Sequence, residues 1–299
     1  MYHGIIVVRK EAGYTSHDVV AKIRGICGQK KVGHTGTLDP DATGVLPICL
    51  GKGTKVSGML TDSDKEYETT FLLGVTTDTQ DMSGKIIKRH EVVLTEDRVK
   101  DVIKSFVGNI SQIPPMYSAL KVDGKKLCDL ARQGIEVERK SRNIQIYGIE
   151  IVYIDLPRVC MRVSCSKGTY IRTLCNDIGE KLGCGAAMET LLRTRAAGFT
   201  LEDAHTLDEL QKAKQENTLP LLVKPIDEVY QCYEKVIALE KAQKLLYNGN
   251  AIAEVMVQQP ASKQEMVRMY THKEEFVGIF SYRKEQKMYQ PVKMFLQGE

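Results

Sequence analysis

A chain of 299 residues, 42% hydrophobic and 27% charged, has the composition of a folded globular protein with one large domain or two. Its eight cysteines include no C-x-x-C pair, and no apolar run nears the roughly 18 residues of a membrane span, so zinc-ribbon, disulfide-scaffold, membrane-spanning and disordered classes are excluded. The net charge of +4 is uneven: residues 1–55 carry eight Lys and Arg against four acids, and residues 158–199 carry seven against three. Two such segments can build one face for a polyanion, or they can be plain solvated surface.

In chain order, Gly4 to Val8 predicts a strand. Its short apolar core before Arg9-Lys10 is unlike a secretory leader, so a cytoplasmic location is expected. A helix capped at Thr15 or Ser16 follows, with Val19, Val20, Ile23 and Ile26 on one side. Residues 28–44 read as loop and 45–50 as a buried strand, and Tyr67 to Leu73 alternates like a strand. Thr95 caps a helix whose apolar positions run through Val99, Val102, Ile103, Phe106 and Val107. Strands at 144–154 and 159–165 precede a helix from Tyr170 to about Lys181, with Ile171, Leu174, Cys175 and Ile178 on its buried side. Strands and helices mix without regular alternation, so an α+β fold is expected rather than a doubly wound parallel sheet. A boundary near Pro225 leads to a helix at about 237–247 and strand-like runs at 251–258, 265–271, 275–282 and 287–296, the pattern of a small β-barrel-like module.

The most unusual stretch is Gly33-His-Thr-Gly-Thr-Leu-Asp-Pro-Asp-Ala-Thr-Gly44. It is not a Walker loop, because Gly51-Lys52 lacks the required glycine five residues upstream. His17, Cys27, His34 and Cys49 lack compact metal-ligand spacing, and no G-x-S-x-G occurs. What remains is a carboxylate, Asp39 or Asp41, in a glycine-rich loop flanked by basic segments. By itself such an aspartate is as much a turn cap as a chemical group.

GHTGTLDPDATGVLPICLG closely resembles the signature of the TruB family of tRNA pseudouridine synthases. The resemblance continues in family order through Asp64-Lys65-Glu66-Tyr67 and Leu73-Gly74, then Thr77-Asp78-Thr79, QIPPMYSALKVDGKKL (112–127), CSKGTYIRTL (165–174) and LGCGAAMETLLRTRAAGF (182–199). Residues 228–299 resemble the family's PUA-like RNA-binding tail more weakly. Cys128 departs from the pattern, standing where relatives usually carry an aromatic residue, and Gly53 stands where a small residue such as Ala is common.

The resemblance implies a mixed, mainly antiparallel catalytic domain over 1–227 and a PUA-like module over 228–299. It implies isomerisation of a T-loop uridine of tRNA, position 55, to pseudouridine, without cofactor, metal or guide RNA, by a monomer. Asp39 would be the nucleophile and Arg172 its cation. Tyr67 would stack on the flipped base, Tyr170 and Leu191 would line the pocket, and His34 would wedge into the vacated loop. Lys65, Arg193 and Arg195 are expected to be phosphate contacts or plain surface. An RNA-binding module without turnover is the reading from another class, disfavoured by Asp39, Tyr67 and Arg172 occurring together.

Overall fold

The computed structural model describes residues 1–122, 124–261 and 265–296. The opening apolar run forms β1 (Gly4–Lys10), buried on both faces: Ile6 and Val8 enter one core, Ile5 and Val7 another. Strand period two makes that division. α1 (Ser16–Cys27) starts at a reciprocal capping box between Thr15 and Asp18 and stops at Gly28 in the left-handed region. Its four predicted apolar residues are buried. β2 (Val32–His34) and β3 (Thr43–Leu50) bracket the glycine-rich loop. A 3-10 turn and α2 (Ser57–Thr61) lead to β4 (Lys65–Leu73), where buried and half-buried residues alternate.

β5 (Val75–Thr77) pairs with β6 (Ile86–Arg89) in a small hairpin. α3 (Glu96–Lys104) is capped by Thr95 and stops before Phe106 and Val107, short of the expected end. Gly108, with φ of 114°, turns the chain into β7 (Gly108–Gln112) and leaves Val107 exposed. A two-residue pair, β8 (Lys121–Val122) and β9 (Lys125–Lys126), precedes α4 (Leu127–Arg132). β10 (Arg142–Asp155) and β11 (Arg158–Cys165) form a long hairpin, followed by α5 (Ile171–Leu182), β12 (Ala186–Ala196), β13 (Phe199–Thr200) and α6 (Leu207–Gln215).

The main sheet has the order β1-β3-β12-β4-β11-β10-β7, with β2 added on β3 and β13 on β12. Every pairing in it is antiparallel except β3 with β12, where Leu192 faces Thr43 and Arg193 faces Gly44. The fold is therefore α+β and mainly antiparallel, as expected. β12, though near the middle of the sheet, is not legible as a strand. Register shifts between Met188 and Thr190 and between Arg193 and Arg195 break its period-two pattern, as bulges do. α1, α3, α5 and α6 contribute to the first core cluster, which also holds Phe71, Met161 and Val163.

The C-terminal sheet differs from expectation at its start. A strand not anticipated, β14 (Glu234–Ile237), runs into the start of the expected helix: Val236 and Ile237 pair in parallel with Met269 and Tyr270. Only α7 (Gln243–Tyr247) of the expected 237–247 segment is α-helical. The 251–258 run holds just β15 (Ile252–Ala253), because Glu254–Met256 folds into a 3-10 turn with Tyr282 Oη donating to Glu254 Oε1 at 2.6 Å. With β16 (Met266–Tyr270), β17 (Phe276–Arg283) and β18 (Met288–Met294) it makes a half-barrel sheet in the order β14-β16-β17-β18-β15. Ile279, Tyr230 and Phe295 share one apolar cluster with Ile5, Val7, Val45 and Cys49, so a common core crosses the expected boundary at 227/228.

Candidate active site

Asp39 sits in the turn between β2 and β3, and three devices built from the sequence hold that turn. Lys10 ends β1 fully buried, and its Nζ donates to the carbonyls of Glu11, Pro40 and Ala42 at 3.0, 2.8 and 2.6 Å. Ser16 Oγ accepts from Leu38 N–H at 2.9 Å. Gly44 has φ of 106°, and a Cβ there would lie 2.2 Å from the carbonyl oxygen of Arg193, so only glycine lets β3 approach β12 this closely. Nothing in the spacing of Lys10 announced the clamp, since its partners lie 30 and 32 residues downstream.

Arg172 opens α5 and is almost fully buried. Its Nη2 lies 3.0 Å from Asp39 Oδ2 and donates to the Tyr117 carbonyl at 2.8 Å. Its Nη1 reaches Asp81 Oδ2 at 3.4 Å. Asp81, which the sequence reading did not single out, is pinned in the β5–β6 turn: its Oδ1 accepts from Thr79 Oγ1, Ser83 N and Ser83 Oγ at 2.7, 3.1 and 2.6 Å. One guanidinium on α5 thus joins two carboxylates, one from the β2–β3 turn and one from the β5–β6 turn.

Asp39 remains 40% exposed at the cavity wall while Arg172 is 7% exposed behind it. Burial raises the Asp39 carboxyl above the ordinary 3.8, and Arg172 opposes that shift. Asp81 and Asp41 push it further up, and Lys10 pulls it down. Desolvation outweighs the cation, leaving a carboxylate that is partly desolvated and paired.

The carboxylate faces a cavity of about 380 Å³ whose walls include Tyr67, Leu191, Tyr170, Arg172, Ser118 and Arg193. That size suits a small aromatic ligand. Tyr67 projects from β4 and Leu191 from β12, and Tyr170 is fixed at the start of α5 by reciprocal bonds with Gln112, at 2.9 and 3.1 Å. Five of the six residues anticipated for the site therefore line one cavity. The sixth, His34, is not among its lining residues; it lies on β2, in edge contact with His17 at 5.3 Å between ring centres.

Two expectations are corrected. Lys65 and Arg193 are not surface: they are buried, their charges spent on backbone carbonyls. Lys65 Nζ donates to Thr61 O at 2.8 Å and Ser63 O at 2.5 Å; Arg193 Nε donates to Val45 O at 2.7 Å. Burial lowers Lys65 to about 8. It raises the Tyr67 phenol, with Arg193 opposing. Lys65, Tyr67 and Arg193 line the same cavity, and Arg193 hydrogen-bonds the Tyr67 phenol. A larger hollow of about 590 Å³ on the C-terminal sheet is lined by Glu265, Arg283, Lys284 and Glu285, away from this carboxylate pair. Among the described residues no three His, Cys, Asp or Glu side chains stand together as metal ligands, and no helix is long and apolar enough to cross a membrane.

Comparison with known proteins gives a consistent result. Residues 24–171 match the TruB family pseudouridylate synthase N-terminal domain, and residues 172–231 match the tRNA pseudouridylate synthase B C-terminal domain. The chain is 48% identical to tRNA pseudouridine synthase B of Lachnoclostridium phytofermentans, over 98% of this chain and 100% of that protein. It is 47% identical to the protein of that name from Alkaliphilus oremlandii, over 95% and 94%. Among solved structures it is similar to a chain of an H/ACA RNP bound to a substrate RNA containing 2′-deoxyuridine, with a TM-score of 0.73 and 27% identity over 99% of this chain and 86% of that one. It is also similar to a chain of a Cbf5-Nop10-Gar1 complex, with a TM-score of 0.72 and 30% identity over 98% and 85%. With near-complete coverage at this identity, and with the aspartate, arginine and tyrosine of the signature gathered in one cavity, the chain belongs to the TruB family of pseudouridylate synthases.

Proposed function

We propose that this protein converts a T-loop uridine of tRNA, position 55, to pseudouridine. The observation that carries the reading is the Asp39 carboxylate, 3.0 Å from a buried arginine, facing a cavity walled by Tyr67 and Leu191. A binding module needs no partly desolvated carboxylate facing a polyanion, whereas a covalent nucleophile does.

The target base is stacked within the folded T-loop and has to be extruded into the cavity. Tyr67 receives it on one side, Leu191 closes the other, and Tyr170 borders the ribose end. His34, on the strand that enters the site, fills the space the base leaves. Ionised Asp39 attacks covalently, at the ribose or at the base, while the N1–C1′ bond breaks. The base turns, C5 bonds to C1′, the C5 proton leaves, N1 takes up a proton and Asp39 is released. Atoms and electrons balance within the nucleotide, and no external donor or acceptor is consumed. Arg172 keeps Asp39 ionised against its desolvation and aims it.

The test is incubation of the protein alone with unmodified tRNA, followed by mapping of pseudouridine. Product at a single T-loop uridine is the expected result. Product that appears only when a second RNA is added would indicate a guided enzyme, and none under any condition would remove the reading. The tail, with ten Lys and Arg against eight acids over residues 231–299, is assigned to tRNA beyond the T-loop.

A further inference from the structure

Buried polar side chains are almost always hydrogen-bonded, and an exception calls for an explanation. Five buried side-chain atoms among the described residues lack a partner: His34 Nδ1, Ser118 Oγ, Arg139 Nε, Arg172 Nε and His272 Nδ1. Ser118 and Arg172 both line the cavity that holds Asp39. Arg172 already has its place in the site. Ser118 does not.

Ser118 is 4% exposed, and its backbone is fixed. Its N–H donates to the Met116 carbonyl at 2.9 Å, and its own carbonyl accepts from Cys128 N–H at 3.0 Å. The preceding carbonyl, of Tyr117, accepts from the same Arg172 nitrogen that bonds Asp39. The hydroxyl is therefore carried on a segment tied to the nucleophile's own cation. The Tyr170 phenol lies close enough for Ser118 to act on it as a hydrogen-bonding neighbour, which pulls the phenol down against its burial, but the contact falls short of hydrogen-bond geometry and Ser118 Oγ has no full partner. An unpaired buried hydroxyl destabilises the free protein unless something that enters the cavity supplies the missing partner.

We propose that Ser118 is a further substrate-contacting residue, whose Oγ hydrogen-bonds the uridine nucleotide in the cavity and holds its C1′ against Asp39. This rests on the reading of the cavity as the uridine site. A hydroxyl both donates and accepts, so a base carbonyl, the N3–H or the ribose 2′-OH can each pair with it. For the same reason Ser118 positions the nucleotide rather than sorting uridine from cytidine.

The experiment compares wild type with Ser118→Ala, a change that removes one oxygen and leaves the shape of the wall. Single-turnover pseudouridine formation on a T-loop hairpin RNA is expected to fall about 10–100-fold, a barrier change of ~1.4–2.7 kcal/mol. The thermal midpoint of the free protein is expected to stay level or rise, because only the poorly aligned contact with the Tyr170 phenol is lost in the absence of RNA. A structural hydroxyl would move the two readings the other way. A lowered midpoint, or a single-turnover rate equal to wild type, overturns the proposal. Binding of a hairpin with 2′-deoxyuridine at the target then locates the contact. Losses from the substitution and from the deoxy sugar that fail to add mark the ribose, and losses that add mark the base. Wild type that makes no pseudouridine would strike the functional reading itself. An active wild type with an indifferent Ser118→Ala would strike only this inference.

Discussion

Replacing Asp81 by asparagine removes one carboxylate from Arg172 while leaving the turn that carries it intact. The three donors on Asp81 Oδ1, from Thr79 and Ser83, can all be accepted by an amide oxygen. What changes is the atom facing Arg172 Nη1 at 3.4 Å, from a carboxylate oxygen to an amide nitrogen that donates. A hydrogen bond between charged groups contributes about 1.5–3 kcal/mol, and Arg172 is nearly buried, so water replaces it poorly. If that loss appears in aiming Asp39, single-turnover pseudouridine formation falls roughly 10- to 150-fold. The affinity for tRNA should hardly change, since Asp81 is itself mostly buried. The acid limb gives a second readout. Asp81 pushes the Asp39 carboxyl up; without its charge Asp39 ionises at lower pH, so the limb of the pH–rate profile shifts toward acid. A wild-type rate with an unmoved limb would show that Asp39 and Tyr117 hold Arg172 without Asp81, and the argument for a shared guanidinium would fail.

Asp39→Asn should abolish product while tRNA affinity changes less than about tenfold, ~1.4 kcal/mol, and Asp41→Asn should keep substantial activity; the reverse pattern would reassign the nucleophile. Lys10→Met should lower stability by unbonding three carbonyls around the Asp39 turn. Burial brings the Lys10 ammonium from 10.5 to about 8, so between those values the unfolded chain binds the proton more tightly and stability rises with pH. Chemical denaturation from pH 8 to 10 should show a shallower rise in Lys10→Met, and an unchanged slope would place the titration elsewhere. Removal of residues 228–299 should yield an aggregating or poorly folded chain, because Ile5, Val7, Val45 and Cys49 lose the cover of Tyr230, Ile279 and Phe295. At about 1.5–3 kcal/mol per apolar side chain the loss approaches the whole stability of a domain. A soluble truncated monomer with the parent's melting point would show that the shared cluster contributes little.

Features whose cause is local were legible in the amino-acid sequence. The α1 capping box, its buried stripe, the β3 run, the hairpin strands β10 and β11 and the start of α5 all follow from periodicity and caps spaced within a few residues. The glycine-rich loop and the blocks after it were legible as a family signature, which brought Asp39, His34, Tyr67, Tyr170, Arg172 and Leu191 into one reading; all but His34 line the cavity. The remaining features emerge only from long-range packing, on two physical grounds. A strand's period is visible only when its register is regular, and the shifts at Met188/Thr190 and Arg193/Arg195 hid β12. A charge discloses nothing about its partner until the chain folds. Lys65 and Arg193 read as phosphate contacts or plain surface, but both are buried and bond backbone carbonyls. Asp81 lies 91 residues from Arg172, yet its carboxylate reaches the same guanidinium as Asp39.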